Sequence, residues 1–145
     1  MKLFIDCEYN GYKGELISMA LVDELGKTFY EVVHLPTSID NWVHKNVVPH
    51  LNKKSISMEE FQAKLESFLS FYKDIHVISD WPEDIAYLMK AMVTGPGTRI
   101  DTPPFTCEVR RDIDGIGETP HNALSDALAL RDDYNRTIMQ RYLMS

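Results

Sequence analysis

The chain has 145 residues, of which 44% are hydrophobic and 26% are charged, and its formal net charge at pH 7 is −7. A chain of this length is expected to form one domain, residues 1–145, that buries an adequate core without disulfides. The acidic balance argues against a broad basic surface that holds duplex nucleic acid by counterion release alone. No apolar run approaches the roughly 18 residues that would cross a bilayer, so no membrane association is expected.

Two cysteines, Cys7 and Cys107, are separated by most of the chain and form no CxxC pair. The sequence also shows no signal pattern at its start. These features favour a reducing cytoplasm over a secreted, disulfide-linked scaffold. We therefore expect a cytoplasmic protein with two free, buried thiols.

The first third of the chain has the pattern of a β-meander. Residues 2–6, 15–23 and 28–35 are rich in Leu, Ile, Val and Met or have an extended pattern. The pairs Asn10-Gly11 and Gly26-Lys27 punctuate these runs as turns. The sequence therefore predicts three antiparallel strands at the start of the fold.

Helical and extended patterns alternate in the middle of the chain. Residues 38–51 should hold a short helix before Pro49, with Trp42, Val43 and Val47 on its apolar side. A capping box formed by Ser57 and Glu60 then opens the clearest helix. Its apolar residues recur every three or four positions: Phe61, Leu65, Phe68, Leu69 and Tyr72.

The second half continues the α/β rhythm. Ile75–Ser79 should be a buried strand, and Pro82 should begin a helix through Met92 whose apolar face is Ile85, Leu88, Met89 and Met92. Residues 95–104 and 115–120 are predicted loops. A last helix over residues 122–143 has five residues available for packing: Leu124, Ala127, Leu128, Tyr134 and Ile138.

Asp6 and Glu8 lie two residues apart in the first predicted strand. Because side chains alternate along a strand, both carboxylates project to one face, while Ile5 and Cys7 project to the other. Two carboxylates about 4 Å apart repel by roughly 4 kcal/mol at an effective dielectric constant near 20, so a buried pair needs a cation or a shared proton. The hard oxygen ligands suit Mg²⁺ or Mn²⁺. Two solvated acids at a polar strand end explain the motif equally well.

A second acidic group, formed by Asp80, Glu83 and Asp84, lies where a predicted strand gives way to a helix. Helix N-termini favour carboxylates through capping and the helix dipole, and this alone explains Asp80 and Glu83. Asp84 differs because the apolar residues Ile85 and Leu88 follow it, which would fix it on a rigid first turn aimed at the sheet edge. Asp84 is therefore the candidate from this segment.

The third group is His121 and Asp126. Pro120 and Asn122 mark a helix start, so we expect His121 to stand just outside the helix and to move freely, whereas Asp126 is fixed in the first turns. A histidine can take a proton from an attacking water near neutral pH, and an acid on a packed helix can hold a metal still. A helical acid beside a surface histidine is the plainer interpretation.

Together these groups resemble the three motifs of the DEDDh 3′→5′ exonucleases, in the same order. The motifs are Asp6-Cys7-Glu8, an aspartate (Asp84) that opens a helix after a mid-chain strand, and HNALSD at residues 121–126. The family usually has an aromatic or similar residue before the mid-chain aspartate and often Asn four positions earlier, where this chain has Glu83 and Asp80. Whether Asp80 shares the role of Asp84 stays open.

The resemblance extends over nearly the whole chain to the short mycobacterial exoribonuclease-like branch of that family. The segments that carry it are Glu15-Leu16-Ile17-Ser18, Trp42-Val43, Val48-Pro49 with Leu51, and Pro104-Phe105-Thr106 before Glu108. It implies an RNase H-like α/β fold. The central mixed sheet would combine three antiparallel N-terminal strands with parallel strands, and helices would flank it.

The resemblance also implies an activity. Asp6, Glu8, Asp84 and Asp126 would hold two Mg²⁺ or Mn²⁺ ions, with Asp6 shared between them, and His121 would deprotonate the attacking water. The substrate would be the 3′ end of RNA or single-stranded DNA, with an exoribonuclease as the first expectation, and the products would be nucleoside 5′-monophosphates. Two bound divalent ions would offset four negative charges where phosphate approaches. The sugar preference is open, and so is a homodimer, since related nucleases are often dimers.

Two alternatives compete with an exonuclease. An RNase H-type endonuclease also gathers carboxylates around two metals, but a histidine five residues before Asp126 argues against it. The chain could also be an inactive module of the same fold that binds nucleic acid or protein, although all five reactive residue types are present.

Candidate substrate contacts outside the acidic groups are few. Lys53-Lys54 and Arg110-Arg111 could contact phosphates, although such pairs on loops are usually only solvated. Tyr9, Trp81 and Phe105 could stack on bases, and core packing explains them at least as well.

Overall fold

A computed structural model describes residues 1–145. The strands are β1 (Lys2–Tyr9), β2 (Leu16–Asp23), β3 (Thr28–Val32), β4 (Ile75–Ser79), β5 (Val93–Gly95), β6 (Thr98–Arg99) and β7 (Phe105–Val109). The helices are α1 (Asn41–Asn46), α2 (Met58–Leu69), α3 (Pro82–Met92) and α4 (Ala123–Met144), with a 3₁₀ turn at Val48–His50. None of the helices combines the length and apolar character that a membrane span requires.

Five strands form one mixed sheet in the order β3-β2-β1-β4-β7. β1 pairs antiparallel with β2, and β2 pairs antiparallel with β3, as the N-terminal pattern predicts. β4 lies parallel to β1 and to β7. The predicted α/β class with a central mixed sheet flanked by helices is therefore confirmed. The predicted bounds of β4 and α3 are also correct.

The alternation along β1 separates two layers of packing. Leu3, Ile5 and Cys7 lie in the main core, which α2 and α3 cover. Phe4 projects to the opposite face and packs against Leu130 of α4. The sheet is thus covered on both faces, and Asp6 and Glu8 lie on the α4 side of β1, as predicted from the period of two.

Small side chains bring α4 close to the sheet. Ala123 and Ala127 are fully buried and pack against Ala20 and Val22 of β2. A larger residue at these positions would displace the helix, because protein interiors have little free volume. This close packing fixes the first turns of α4 over the ends of β1 and β2.

The capping box predicts the start of α2 correctly. The Ser57 hydroxyl accepts a hydrogen bond from the Glu60 N–H at 3.1 Å. The helix ends at Leu69, so Tyr72 lies in the following turn. The Tyr72 hydroxyl donates a 2.7 Å hydrogen bond to Asp23 Oδ2, which joins this turn to the end of β2.

Two strand features differ from the sequence prediction. β5 and β6 form a small antiparallel hairpin that enters the segment 95–104, predicted as a loop. β7 was not predicted, because its side chains are mostly exposed and show no alternation of burial. Its backbone pairing with β4, remote in sequence, makes it a strand.

Three side chains are more exposed than predicted. Trp42 is 54% exposed although it was expected on the apolar side of α1, because the short helix turns only Val43 inward. Ile138 is 40% exposed, because α4 extends past the sheet. Cys107 is a free but exposed thiol on the outermost strand β7, whereas Cys7 is free and buried as predicted.

A substitution at Phe61 tests how much the packing of the main core stabilises the fold. Its ring is fully buried and meets Phe29 edge-on, with 5.5 Å between ring centroids. Replacing Phe61 with Ala should lower the free energy of unfolding by about 3–5 kcal/mol, because it removes apolar contacts and leaves a cavity. Urea denaturation measures this loss. Phe71, which is 67% exposed, is the control, and its change to Ala should cost about 1 kcal/mol or less.

Candidate functional site

Parallel pairing places two acids side by side at one edge of the sheet. Phe4 of β1 pairs with Ile78 of β4, so two residues further along both strands Asp6 is level with Asp80. Asp84 follows in the first turn of α3. Ligands commonly bind at the carboxyl edge of parallel strands, where the chain turns into helices. The sheet register therefore brings the first two acidic groups together.

The carboxylates form two groups of three. One oxygen from each of Asp6, Glu8 and Asp126 lies within 4.8 Å of the others, and the same holds for Asp6, Asp80 and Asp84. Two oxygens on opposite sides of one Mg²⁺ lie about 4.2 Å apart, so only small movements would let each group bind one ion. Asp6 belongs to both groups. Both clusters could therefore hold a metal ion.

Backbone N–H groups hold Asp126 in place. Gly117 N donates to Oδ1 at 2.9 Å, and His121 N donates to Oδ2 at 3.1 Å. A Cβ at Gly117 would lie 2.3 Å from the Ser125 backbone oxygen, so only glycine fits this approach. Asn122 caps α4 by accepting from Ser125 N at 3.0 Å. The loop before α4 therefore orients the acid at the helix start.

Asp84 joins α3 to the ends of β1 and β4. Its Oδ1 accepts a hydrogen bond from Cys7 N at 3.3 Å. The Ser79 hydroxyl lies 3.0 Å from Oδ2 and 2.7 Å from the Trp81 backbone oxygen, so it donates to one of the two. Oδ1 of Asp84 thus has a backbone donor, and Oδ2 lies within hydrogen-bond distance of the Ser79 hydroxyl.

Asp80 does not have the capping role that a helix start suggests. The residue that caps α3 is Trp81, and no side chain completes the cap. Asp80 Oδ2 instead accepts a 3.1 Å hydrogen bond from Gly115 N. The capping interpretation of Asp80 is therefore wrong, and the structure adds this residue to the acids of the site.

His121 lies on the wall of the site at the start of α4. Its φ of +68° is a left-handed conformation that few residues other than glycine adopt. The half-buried imidazole meets Trp42 edge-on, with 5.0 Å between ring centroids. The predicted freedom of His121 is limited, because its backbone is bound to Asp126 and its ring is in contact with Trp42.

A cleft of about 470 Å³ opens over the acids. The five carboxylates and His121 line it. Its walls also carry four aromatic side chains: Tyr9, Tyr12, Trp42 and Trp81. This volume is in the range that proteins use for one small ligand.

Burial raises the pKa of every acid in the cluster. The pKa of Glu8 rises to about 8, chiefly through burial and then through the charges of Asp126 and Asp84. Burial also raises the pKa of Asp84 to about 7, although the Ser79 hydrogen bond opposes the shift. The pKa of Asp6 is raised well above its usual value, chiefly by burial and then by its acidic neighbours. Burial likewise raises the pKa of Asp80 and of Asp126.

One buried atom in the cluster has no partner. No donor within the protein reaches Asp6 Oδ2, although this atom is shielded from solvent. A buried carboxylate oxygen without a hydrogen bond is costly, so such an atom calls for a bound cation or a proton. The hard oxygen donors of both groups fit a divalent cation of the Mg²⁺ type.

No protein-family model matches this chain, and no curated protein matches it.

Sequence analysis found four of the five acids and His121. The sequence left open whether Asp80 only marks the helix start or shares the role of Asp84, and only the register of β1 with β4 distinguishes the two roles. Tyr12 was not considered, and Trp42 was expected to pack inward. Tyr9 and Trp81 line the cleft, whereas Phe105 begins β7 and lies outside it.

The basic residues considered as phosphate contacts differ in whether they contact the cleft. Lys53 is bound to Glu31 at 2.7 Å, and Arg110 is bound to Asp112 at 2.7 Å. Arg111 lies over the Trp81 ring, 5.1 Å from its centroid, and donates to the Asp80 backbone oxygen. Of these cationic residues, only Arg111 contacts residues of the cleft.

The metal-free protein should lose stability as the pH rises from about 5 to about 8. In the folded state the pKa of Glu8 is about 8 and that of Asp84 is about 7, against ordinary values of 4.5 and 3.8. Between these limits the folded state binds more protons than the unfolded state, so raising the pH favours unfolding. Urea denaturation without divalent ions, at about pH 5.5 and about pH 8.5, measures the effect.

Two controls separate the acids from the rest of the protein. Glu8→Gln removes one titrating group and should make the loss of stability shallower. Mg²⁺ should stabilise the parent more at the higher pH, because protons compete with cations for the same oxygens. If the parent and E8Q lose stability equally as the pH rises, the loss does not come from Glu8.

Proposed function

We propose that this chain is a metal-dependent 3′→5′ exonuclease of the DEDDh type, with an RNase H-like fold. It would remove nucleoside 5′-monophosphates from the 3′ end of single-stranded RNA or DNA. One observation carries the proposal. Two groups of three carboxylates share Asp6, whose Oδ2 has no partner, and they face a cleft that also presents the imidazole of His121.

Two divalent ions suit the donor set. Asp6, Glu8 and Asp126 would hold one ion, and Asp6, Asp80 and Asp84 would hold the other. Mg²⁺ and Mn²⁺ are the expected ions, because every ligand is a carboxylate oxygen. Bound there, the ions would supply positive charge that stabilises the attacking and leaving oxygens of phosphoryl transfer.

His121 would take the proton from the attacking water. The water oxygen bonds to phosphorus while the bond from phosphorus to the 3′ oxygen of the preceding nucleotide breaks. One nucleoside 5′-monophosphate leaves, and the released 3′ oxygen takes a proton from solvent water to become the new 3′ hydroxyl of the strand. The backbone bond from His121 to Asp126 keeps the base beside the acids, and the Trp42 ring limits its rotation.

The cleft favours a terminal nucleotide over an internal segment of duplex. Its volume of about 470 Å³ is that of a small-ligand pocket. The rings of Tyr12, Trp42 and Trp81 offer surfaces on which a base could stack. The net charge of −7 also disfavours a binding mode that depends on wide contact with a duplex.

A 3′-end assay tests the polarity and the chemistry. Labelled single-stranded RNA and DNA, each free or blocked at the 3′ hydroxyl, are digested with Mn²⁺. The free strands should shorten stepwise and the blocked ones should persist. Asp6→Asn should lower kcat by at least about 10³-fold, through loss of a shared ligand. His121→Ala should lower kcat by about 10²-fold to 10⁴-fold, through loss of the base.

His44→Ala is the control for His121, because His44 is an exposed histidine of the nearby helix α1. This variant should retain the parent rate. D6N should also remain folded without metal, since it removes a buried charge. Internal fragments from 3′-blocked strands would instead support an endonuclease.

Asp80→Asn tests the second group of carboxylates. Asn keeps the size of the side chain and can still accept from Gly115 N, but it lacks the charge. Calorimetric titration of the parent with Mn²⁺ should resolve two binding events, and D80N should weaken one of them at least about tenfold.

Asp114→Asn is the matched control, because Asp114 is an exposed acid beside Gly115 that belongs to neither group. It should weaken either binding event far less than D80N does, because Asp114 supplies a nearby charge but no ligand. Equal Mn²⁺ binding by D80N and the parent would remove Asp80 from the ligand set, and no binding by the parent would remove the metal centre altogether.

A further inference from the structure

A second pocket lies beyond the wall of the cleft. It has a volume of about 400 Å³, which is large enough for one nucleotide-sized ligand. Leu16 and Met58 give it an apolar floor, and Tyr87 forms one side. Lys13 and Lys90 lie on its rim. None of the acids of the candidate metal centre lines this pocket.

Only a thin wall separates the pocket from the cleft. Tyr9 lines the cleft, Tyr87 lines the pocket, and their rings stack with 4.6 Å between centroids. On the turn between β1 and β2, Tyr12 lines the cleft and its neighbour Lys13 lines the pocket. A strand that leaves the cleft over this turn therefore meets the second pocket next.

The turn that forms this wall is fixed in shape. Asn10 N donates to Glu15 O at 2.8 Å, and Gly14 N donates to Gly11 O at 3.0 Å. A Cβ at Gly14 would lie 1.8 Å from the Asn10 backbone oxygen, so this position requires glycine. The Tyr87 hydroxyl also donates to the Gly14 backbone oxygen. Lys13, with φ of +59°, is therefore presented from a rigid support.

The charges on the rim suit an anion. Eight of the fifteen lysine and arginine side chains form ion pairs with carboxylates. Lys13 and Lys90 form none, and their ammonium groups lie 5.4 Å and 5.7 Å from the ring centroids of Tyr12 and Tyr87. Glu15 also lines the pocket and brings one negative charge, and its Oε1 accepts a hydrogen bond from the Asn10 side chain. Two cations without carboxylate partners thus flank one cavity in an acidic protein.

We propose that this pocket binds an upstream nucleotide of the single strand whose 3′ end occupies the cleft, an inference that rests on the proposed function. Lys13 and Lys90 contact the phosphodiester backbone. The apolar floor receives the base. The pocket thereby makes the enzyme favour strands long enough to cross the turn at Tyr12 and Lys13.

Strand length and one charge change test the subsite. The substrates are a dinucleotide and a strand of about ten nucleotides, both with free 3′ hydroxyls, in Mn²⁺. Lys90→Gln should lower the ratio of kcat/KM on the longer strand to that on the dinucleotide about fivefold. The slope of log kcat/KM against log salt on the longer strand should become less negative by about 0.7, as expected for the loss of one phosphate contact on a single strand. Lys13→Asn, which tolerates the left-handed backbone, should act in the same direction.

Lys73→Gln is the matched control, because Lys73 is an exposed lysine before β4, at the opposite edge of the sheet. It should change neither the ratio nor the slope. If K90Q and K73Q behave alike on both substrates, the subsite is refuted while the nuclease proposal stands.

A binding measurement keeps the two proposals separate. Fluorescence anisotropy of a labelled strand of about ten nucleotides in Mg²⁺ should show about fivefold weaker binding by K90Q than by K73Q. If the parent shortens no strand but K90Q still binds more weakly, the pocket is retained and the nuclease proposal fails. If K90Q and K73Q bind equally, the pocket has no role in holding the strand.

Discussion

Repulsion between buried carboxylates is the constraint on which the site depends. Each pair at about 4 Å costs on the order of 4 kcal/mol at an effective dielectric constant near 20. The fold offsets part of this cost with hydrogen bonds to Asp126, Asp84 and Asp80. It offers none to Oδ2 of Asp6, the residue that the two groups share. Negative charge therefore concentrates at the position where a cation would contact the most ligands.

Apolar packing on both faces of the sheet holds the acids in this unfavourable arrangement. The main core beneath α2 and α3 fixes β1 through Leu3 and Ile5. On the other face, Ala123 and Ala127 let α4 approach β2, and this approach brings Asp126 to within reach of Glu8. The free energy that opposes dispersal of the acids thus comes from apolar burial on both faces of the sheet. The site is a consequence of how closely the two layers pack.

Local sequence patterns predicted the features that local physics determines. The alternation in β1 placed Asp6 and Glu8 on one face, and the capping box placed the start of α2. β7 and Asp80 escaped prediction because each depends on the neighbour that β4 acquires in the folded chain. Trp42 escaped for a related reason. A six-residue helix is too short for periodicity to tell its inner face from its outer face.

The distribution of charge explains how an acidic chain could attract a polyanion. Most of the arginines are neutralised by neighbouring carboxylates, as Arg110 is by Asp112. The acids of the cleft form a compact centre that two divalent ions would largely neutralise. Lys13 and Lys90 then carry local positive charge directly beyond the cleft wall. Net charge describes the whole surface, whereas attraction over a few ångströms depends on the nearest groups, because salt screens the rest within about 8 Å under physiological conditions. A strand approaching this edge of the sheet would therefore meet two ammonium groups beside the cleft, with Glu15 as the one carboxylate that lines the same pocket.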